Sequence, residues 1–565
     1  MKFSPVKFAC KSPLLLTLSV TTLAHAQVST STPNTPFQHV IVVVQENRTP
    51  DNLFGSAVFS GARQLPGADL VTSGKCSTST TPITLTPMNL GNACDPNHGH
   101  EAGWLPTYNQ GAMNGACTIS PKTCVVNGVT ISDPQYAYVE GSDVLPYFQI
   151  AEQFGYANYM FQTNQGPSFP AHQFLFSGTS APIFDDGDTN QYWEWFAAEN
   201  SSNSGAYGCT GTSTIIEEVN PSGAESSGYQ NGYPCYNHNT LVNVLNTGAG
   251  TGTGLSWKYY SQGGAAGLWT APNAISAICG LSGGKCAGSQ WVNHVENFFP
   301  DSADYPNSFS PILTDLGADP NQPQCKLPNV SWVIPDGSWS DHGGEEPHGA
   351  GPSWVSAIVN AVGGYDNAGN PLATQCADTI NSKSVPYWQD TAILILWDDW
   401  GGWYDSVMPW RCNSSGTCKG YQNGTGGVGG EYVYGFRVPL LVVSAYSKQG
   451  YISGALPSPG KVQPYIHDFG SILNFIEYAF GQNGNTLGDI DPAYQYADYY
   501  APDGPNTCSP TVCPYSLSDF FSSFSSASSF TPITQGINYQ TQCFITPKIK
   551  NCFGSGFTPS DPDGD

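Results

Sequence analysis

Two pairs of oxygen donors stand far apart in the sequence, Glu46-Asn47 and Asp398-Asp399, and each follows an apolar run. Adjacent carboxylates repel, and burying Asp398 and Asp399 at a strand end costs several kcal/mol unless a cation or hydrogen-bond donors compensate. A divalent metal ion held by Glu46, Asn47, Asp398 and Asp399 is the economical reading. Oxygen ligands favour Ca, Mg or Mn, and Zn stays open. The plainer reading is that these residues simply leave the core and meet water. A third chemical feature is Ser168, framed by Gly166-Pro167 and Pro170. That frame is unsuited to a helix interior and suits a rigid turn presenting one hydroxyl, either as a nucleophile or bonded to its own backbone. Residues 94–101 also concentrate polar side chains, His98 and His100 among them.

These groups need elements to hold them. Residues 40–44 are apolar without alternation, and so are residues 391–397, which suits strands buried on both faces of a parallel sheet. Open α/β sheets place ligands at the carboxyl ends of such strands, where both donor pairs lie. Residues 331–335 read as a further buried strand. Residues 145–154 and 352–363 have helical spacing, and Asp468 is placed to N-cap a helix running through Phe480. The expected class is α/β, a mostly parallel central sheet flanked by helices with large loop-rich insertions at about residues 56–143 and 185–330. The second insertion is expected to cap the site. Trp193, Trp195, Phe196, Tyr259 and Tyr260 either line a sugar- or lipid-facing surface or form ordinary core.

Residues 1–26 carry Lys2, Lys7 and Lys11, an apolar run and Ala24-His25-Ala26, the pattern of a secretory signal cleaved near Ala26. The expected location is secreted or periplasmic, with no transmembrane anchor. Only 11% of residues are charged, and the net charge of −25 argues against nucleic acid as a partner and against tight adsorption on anionic lipid. Of 17 cysteines, Cys10 lies in the signal, and the 16 that remain suit disulfides in an oxidising compartment. Sequence proximity suggests Cys117 with Cys124, Cys279 with Cys286, Cys412 with Cys418, Cys508 with Cys513, Cys543 with Cys552, Cys76 with Cys94, Cys209 with Cys235 and Cys325 with Cys376.

The run Glu46-Asn47-Arg48-Thr49-Pro50-Asp51-Asn52-Leu53-Phe54-Gly55 and the run Trp397-Asp398-Asp399-Trp400-Gly401-Gly402-Trp403-Tyr404-Asp405 resemble the opening and late signatures of a bacterial phosphoesterase family. That family includes phospholipases C and acid phosphatases and has the alkaline-phosphatase-like superfold. The resemblance covers about residues 38–480 in dispersed blocks and implies a metal-assisted hydrolase working through a phosphoserine intermediate. Gly166-Pro167-Ser168-Phe169-Pro170-Ala171-His172 resembles the family turn that carries the nucleophile, which gives Ser168 that role. His172 stands where the family usually has Arg, so the local cation is pH-dependent or weaker; the sulfatase signature, which the frame also resembles, lacks its Arg too. By the same resemblance Asp95 to His98 places His98 beside phosphate, with His100 as rival. Ser340-Asp341-His342 makes His342 the group that contacts phosphate or protonates the leaving oxygen, with His348 second. Ser406 replaces a family histidine after Asp405.

The domain reading is a signal at residues 1–26, a phosphoesterase domain at 27–500 and a disulfide-tied C-terminal extension at 501–565. The substrate is expected to be a small phosphate ester or a phospholipid, with soluble phosphomonoesters, the acid-phosphatase reading, placed ahead of phosphatidylcholine-type lipids. Two non-enzymatic readings stand beside it: a glycan-binding protein on the same fold, and a calcium staple in which Ser168 is a plain turn.

Overall fold

The computed structural model describes residues 33–59, 63–91, 94–126, 128–181, 196–197, 207–211, 216–219, 225–227, 234–248, 254–261, 267–297, 310–319, 323–335, 339–344, 349–366, 368–409, 434–455, 466–491, 496–500 and 516–534. The expected signal, Trp193, Trp195, His348 and the cysteines of the 412–418, 508–513 and 543–552 pairs lie outside them.

An eight-stranded sheet forms the centre. Its strands in chain order are β1 (His39–Gln45), β2 (Gly155–Ala157), β3 (Trp257–Ser261), β4 (Val295–Asn297), β5 (Val330–Val333), β6 (Thr391–Trp397), β7 (Leu440–Ser444) and β8 (Tyr451–Ser453). They lie in the order β4-β3-β5-β1-β6-β7-β2-β8. β7 alone runs against its two neighbours, and every other pairing is parallel. The fold is α/β with a mostly parallel sheet, of the alkaline-phosphatase-like kind. β1 and β6 are buried at every position, as uninterrupted apolar strands with both faces covered must be.

The main helices are α1 (Leu145–Gln153), α2 (Ser168–Ser177), α3 (Gly351–Val362) and α4 (Phe469–Phe480). Trp332 of β5, in register with Val42, donates its indole N–H to Leu175 O of α2. Val42 is itself in register with Leu394, and Trp397 stands three residues further along β6. It therefore points to the opposite face, where its ring meets Tyr147 of α1 edge-on at 5.0 Å. So α1 and α2 cover opposite faces. Asp468 caps α4 by accepting from Ser471 N–H at 2.9 Å, as its position before the apolar run requires.

Three expectations change. Ser168 is the first residue of a ten-residue helix rather than part of a free turn; Pro170 is tolerated there because first-turn N–H groups have no intrahelical acceptor. The stretch 185–330 is more than a cap, since it contributes β3 and β4 to the central sheet. Tyr259 and Tyr260 are buried in β3, which removes them from any sugar- or lipid-facing surface.

A further change is in the disulfides. Cys76 pairs with Cys117 and Cys94 with Cys124, replacing the expected Cys76–Cys94 and Cys117–Cys124. Nearness in sequence misleads here because the partners are brought together by packing. Cys76 and Cys117 share a cluster with Tyr136 and Tyr404, while Cys94 and Cys124 pack with Trp403. Cys209–Cys235, Cys279–Cys286 and Cys325–Cys376 form as expected. These bonds fit an oxidising, extracellular setting. Among the described residues no helix is long and apolar enough to cross a membrane.

Candidate active site

β1 and β6 run side by side to Gln45 opposite Trp397, so the next residues, Glu46 and Asp398, leave the sheet together. The ladder continues past the strands: Asp398 N–H donates to Gln45 O at 2.8 Å and Arg48 N–H to Asp399 O at 3.0 Å. Asn47 adopts φ +60°, a left-handed conformation uncommon outside glycine, and this turns its amide inward. Gly401, at φ +61°, lies so close that a Cβ there would sit 2.5 Å from Asn47 O. Gly401 is thus a requirement of the crossing.

α2 delivers Ser168 to this point. Its Oγ lies 3.1 Å from Asp399 Oδ2 and 3.4 Å from Glu46 Oε2, at a helix N-terminus whose dipole favours an approaching anion. His172, one turn on, sets Nε2 at 3.1 Å from Glu46 Oε1 and 3.7 Å from Asp398 Oδ2. Tyr259 OH donates to Trp269 O at 2.7 Å, so at 3.5 Å from His172 Nδ1 it acts as acceptor and holds the ring proton on that nitrogen. Burial drives the His172 imidazole down to about 4, partly offset by Asp398. A neutral imidazole therefore aims a lone pair at two carboxylates, a contact that a cation makes favourable.

The other side of Ser168 gives the same answer. His98 Nδ1 is 2.9 Å from Pro96 O, and His342 Nδ1 is 2.7 Å from Gly343 O. Carbonyls accept, so both Nδ1 atoms carry protons. One end of the Asn47 amide lies 3.2 Å from His98 Nε2 and 2.8 Å from His342 Nε2, and the other lies 3.3 Å from both Asp399 oxygens. If both rings are neutral, the amide nitrogen donates to them and the carbonyl oxygen faces Asp399, two acceptors together. A cation reconciles that contact; without one, the amide turns over and the imidazoles need a second proton each.

All of these side chains are buried. Burial, followed by the neighbouring Asp398 charge, raises the Asp399 carboxyl well above the carboxylate range. Burial also acts to raise Asp398, but hydrogen bonding with Glu46, with Ser168 and with the Asn47 N–H holds it below its ordinary value. Two carboxylates that cannot both ionise freely, beside a third, are what a divalent cation neutralises. The residues fit a metal. Glu46, His172 and Asp398 bring one ligand atom each to within 4.8 Å of one another. His172 stands at this cluster too, a nitrogen beside the oxygen donors read from the sequence.

His100 does not reach this cluster. It is held by Glu225 Oε2 at 2.8 Å and Gln165 Oε1 at 3.2 Å, so His98 is the histidine beside Asn47. A cavity of about 550 Å³ opens on His98, and Asp95, Glu101, Glu217 and Glu225 line it. Sequence reasoning missed this acidic approach because its carboxylates come from segments more than a hundred residues apart. It also missed the purpose of three motif residues. Arg437 is buried between Asp405 at 2.9 Å and Asp51 at 3.3 Å, tying the two signature runs together.

The Phosphoesterase family pattern matches residues 37–374 and 366–483. The chain is 22% identical over 514 residues to a non-hemolytic phospholipase C of Pseudomonas aeruginosa, an alignment covering 82% of this chain and 57% of that protein. It is 23% identical over 464 residues to the hemolytic phospholipase C of that organism, covering 79% and 53%. It is 27% identical over 283 residues to phospholipase C B of Mycobacterium tuberculosis, covering 46% and 44%. The chain thus spans about half the length of these relatives. With the pattern running across most of the chain and through the site just described, the protein belongs to the Phosphoesterase family, a family of phosphoric ester hydrolases.

Proposed function

We propose that the protein is a metal-dependent phospholipase C-type hydrolase in which Ser168 is the nucleophile. The observation that carries this reading is Ser168 Oγ, buried at the start of α2 and within 3.4 Å of carboxylates from both strand ends. Glu46, Asn47, Asp398 and Asp399, joined by His172, hold the cation. When bound, the cation would lower the hydroxyl pKa and offset charge on a non-bridging phosphate oxygen.

Ser168 Oγ attacks phosphorus in line and passes its proton toward the carboxylate it faces. The phosphorus–oxygen bond to the leaving alcohol breaks, and the proton taken from Ser168 passes on to the departing oxygen, while His98 and His342 face the phosphate. Water then cleaves the phosphoserine and restores the hydroxyl. For a glycerophospholipid the products are diacylglycerol and the phosphorylated headgroup.

The ordering of substrates from the sequence, phosphomonoesters first, is reversed here. The relatives carry the name phospholipase C. In addition, the carboxylate-lined cavity beside His98 disfavours a dianionic monoester and suits a cationic headgroup such as choline. Export of a mature chain beginning after residue 26, and the 27–500 and 501–565 division, belong to the same proposal. Parallel assays of the wild type and Ser168→Ala on dispersed phosphatidylcholine and on an aryl phosphate test it. Diacylglycerol release should exceed aryl phosphate hydrolysis in kcat/KM and vanish in the variant; the opposite ordering returns the acid-phosphatase reading.

A further inference from the structure

A second group of metal-competent side chains lies at the opposite end of the central sheet. His39 opens β1 in register with Thr391, and Asp390 immediately precedes that residue. Asp378 comes from a hairpin formed by Ala377–Ile380 and Lys383–Pro386. One ligand atom from each of His39, Asp378 and Asp390 falls within 4.8 Å of the others. β1 spans seven residues, so this group is about 20 Å from Glu46.

The hydrogen bonds specify the roles. His39 Nδ1 is 2.8 Å from Pro328 O, so it carries the ring proton and donates it. Nε2 faces Asp378 Oδ2 at 2.8 Å. Metal-bound histidines characteristically give their other N–H to a backbone carbonyl in this way, which fixes tautomer and ring orientation. The Tyr387 ring packs edge-on against the imidazole at 4.8 Å and holds it further.

Asp390 is what an ion pair leaves unexplained. An imidazolium at His39 would be neutralised by Asp378 alone. Yet Asp390 is 1% exposed, and neither of its carboxylate oxygens takes a hydrogen bond among the described residues. Burying a second carboxylate there without a partner is costly. A divalent cation between the three side chains satisfies both Asp390 oxygens and the Nε2 lone pair together. The Asp378 side chain is 33% exposed, which leaves an entry path and room for a water ligand.

From this geometry we infer a second divalent-cation site, formed by His39, Asp378 and Asp390 and separate from the active site. One imidazole and two carboxylates select a zinc-class ion over calcium or magnesium. Its effect is to pin the 377–386 hairpin to the first turn of chain entering β1 and β6.

The test is zinc content per chain after loading the purified full-length protein with zinc alone and desalting. Asp378→Asn and Asp390→Asn should each hold one equivalent less than the wild type. Asp398→Asn, which disturbs only the active-site cluster, should keep the equivalent that Asp378→Asn loses. Asp378 is partly exposed, so that variant decides the matter even if Asp390→Asn fails to fold. Equal zinc content in wild type and Asp378→Asn overturns the site and leaves a His39–Asp378 ion pair.

Discussion

One turn of α2 separates Ser168 from His172, and both face the same carboxylate: Glu46 lies 3.4 Å from the hydroxyl and 3.1 Å from the imidazole. The candidate nucleophile and a nitrogen donor for the cation are therefore placed by one rigid element. His172→Ala should weaken metal affinity by at least tenfold, with much of the lost kcat recovered at high metal concentration. Activity titrated against zinc or manganese checks this; an unchanged midpoint removes His172 from the cluster.

Ser168→Ala should lower turnover by several orders of magnitude while the melting temperature stays within a few degrees, because one buried oxygen is lost and no charge is exposed. A variant retaining more than about a tenth of wild-type activity would falsify the nucleophile assignment.

Chelation should lower the melting temperature. Glu46, Asp398 and Asp399 are fully buried, and removing a cation from between them restores their mutual repulsion. Calorimetry with and without chelator measures the shift, and Asp398→Ala should reduce it. Identical curves for the loaded and chelated wild type would sink the active-site metal.

Arg437 compensates both Asp51 and Asp405, and all three are fully buried. Arg437→Met should destabilise by about 3–5 kcal/mol, since it leaves two buried carboxylates without their cation. Denaturant unfolding reports the loss; a change below about 1 kcal/mol means that water reaches the pair.

Asp341 gives a pH signature. Burial pushes its carboxyl up to about 6 against the Arg48 charge and the donors Tyr147 and Trp397, so the folded protein holds this proton more tightly than the unfolded chain. Its contribution is therefore full below the unfolded value near 3.8 and is lost as pH rises to about 6. Asp341→Asn keeps the acceptor for Tyr147 and never ionises. Relative to wild type it should gain stability between pH 4 and 6, by at most about 3 kcal/mol. A flat difference across that window would rule out this titration.

The strands and the donor oxygens at their ends were legible because their signals are local. Residues 40–44 and 392–397 are continuous apolar runs, and the donor pairs follow, Asp398-Asp399 at once and Glu46-Asn47 after Gln45. Ser168 was legible through its Gly-Pro frame, although the frame read as a turn and is the first turn of a helix. What stayed hidden depends on tertiary approach. The sequence does not show that Tyr259, 87 residues from His172, fixes that ring's tautomer. Nor does it show that Glu225, 125 residues away, takes His100 out of the competition with His98. The disulfides of Cys76 and Cys94 fail from sequence for the same reason. Their partners are chosen by which loop packs on Tyr404 and which on Trp403.

The pairing of β1 with β6 joins distant parts of the chain, and just beyond it the Asn47 N–H donates to Asp398 across a separation of 351 residues. Closing so long a loop comes late in folding, because its entropy must be lost before the contact stabilises anything. Until then Glu46-Asn47 and Asp398-Asp399 are two ordinary polar dipeptides with no common ion. On the function proposed above, Ser168 is thus silent in a half-folded chain, and the onset of phosphoester hydrolysis during refolding should coincide with completion of the central sheet.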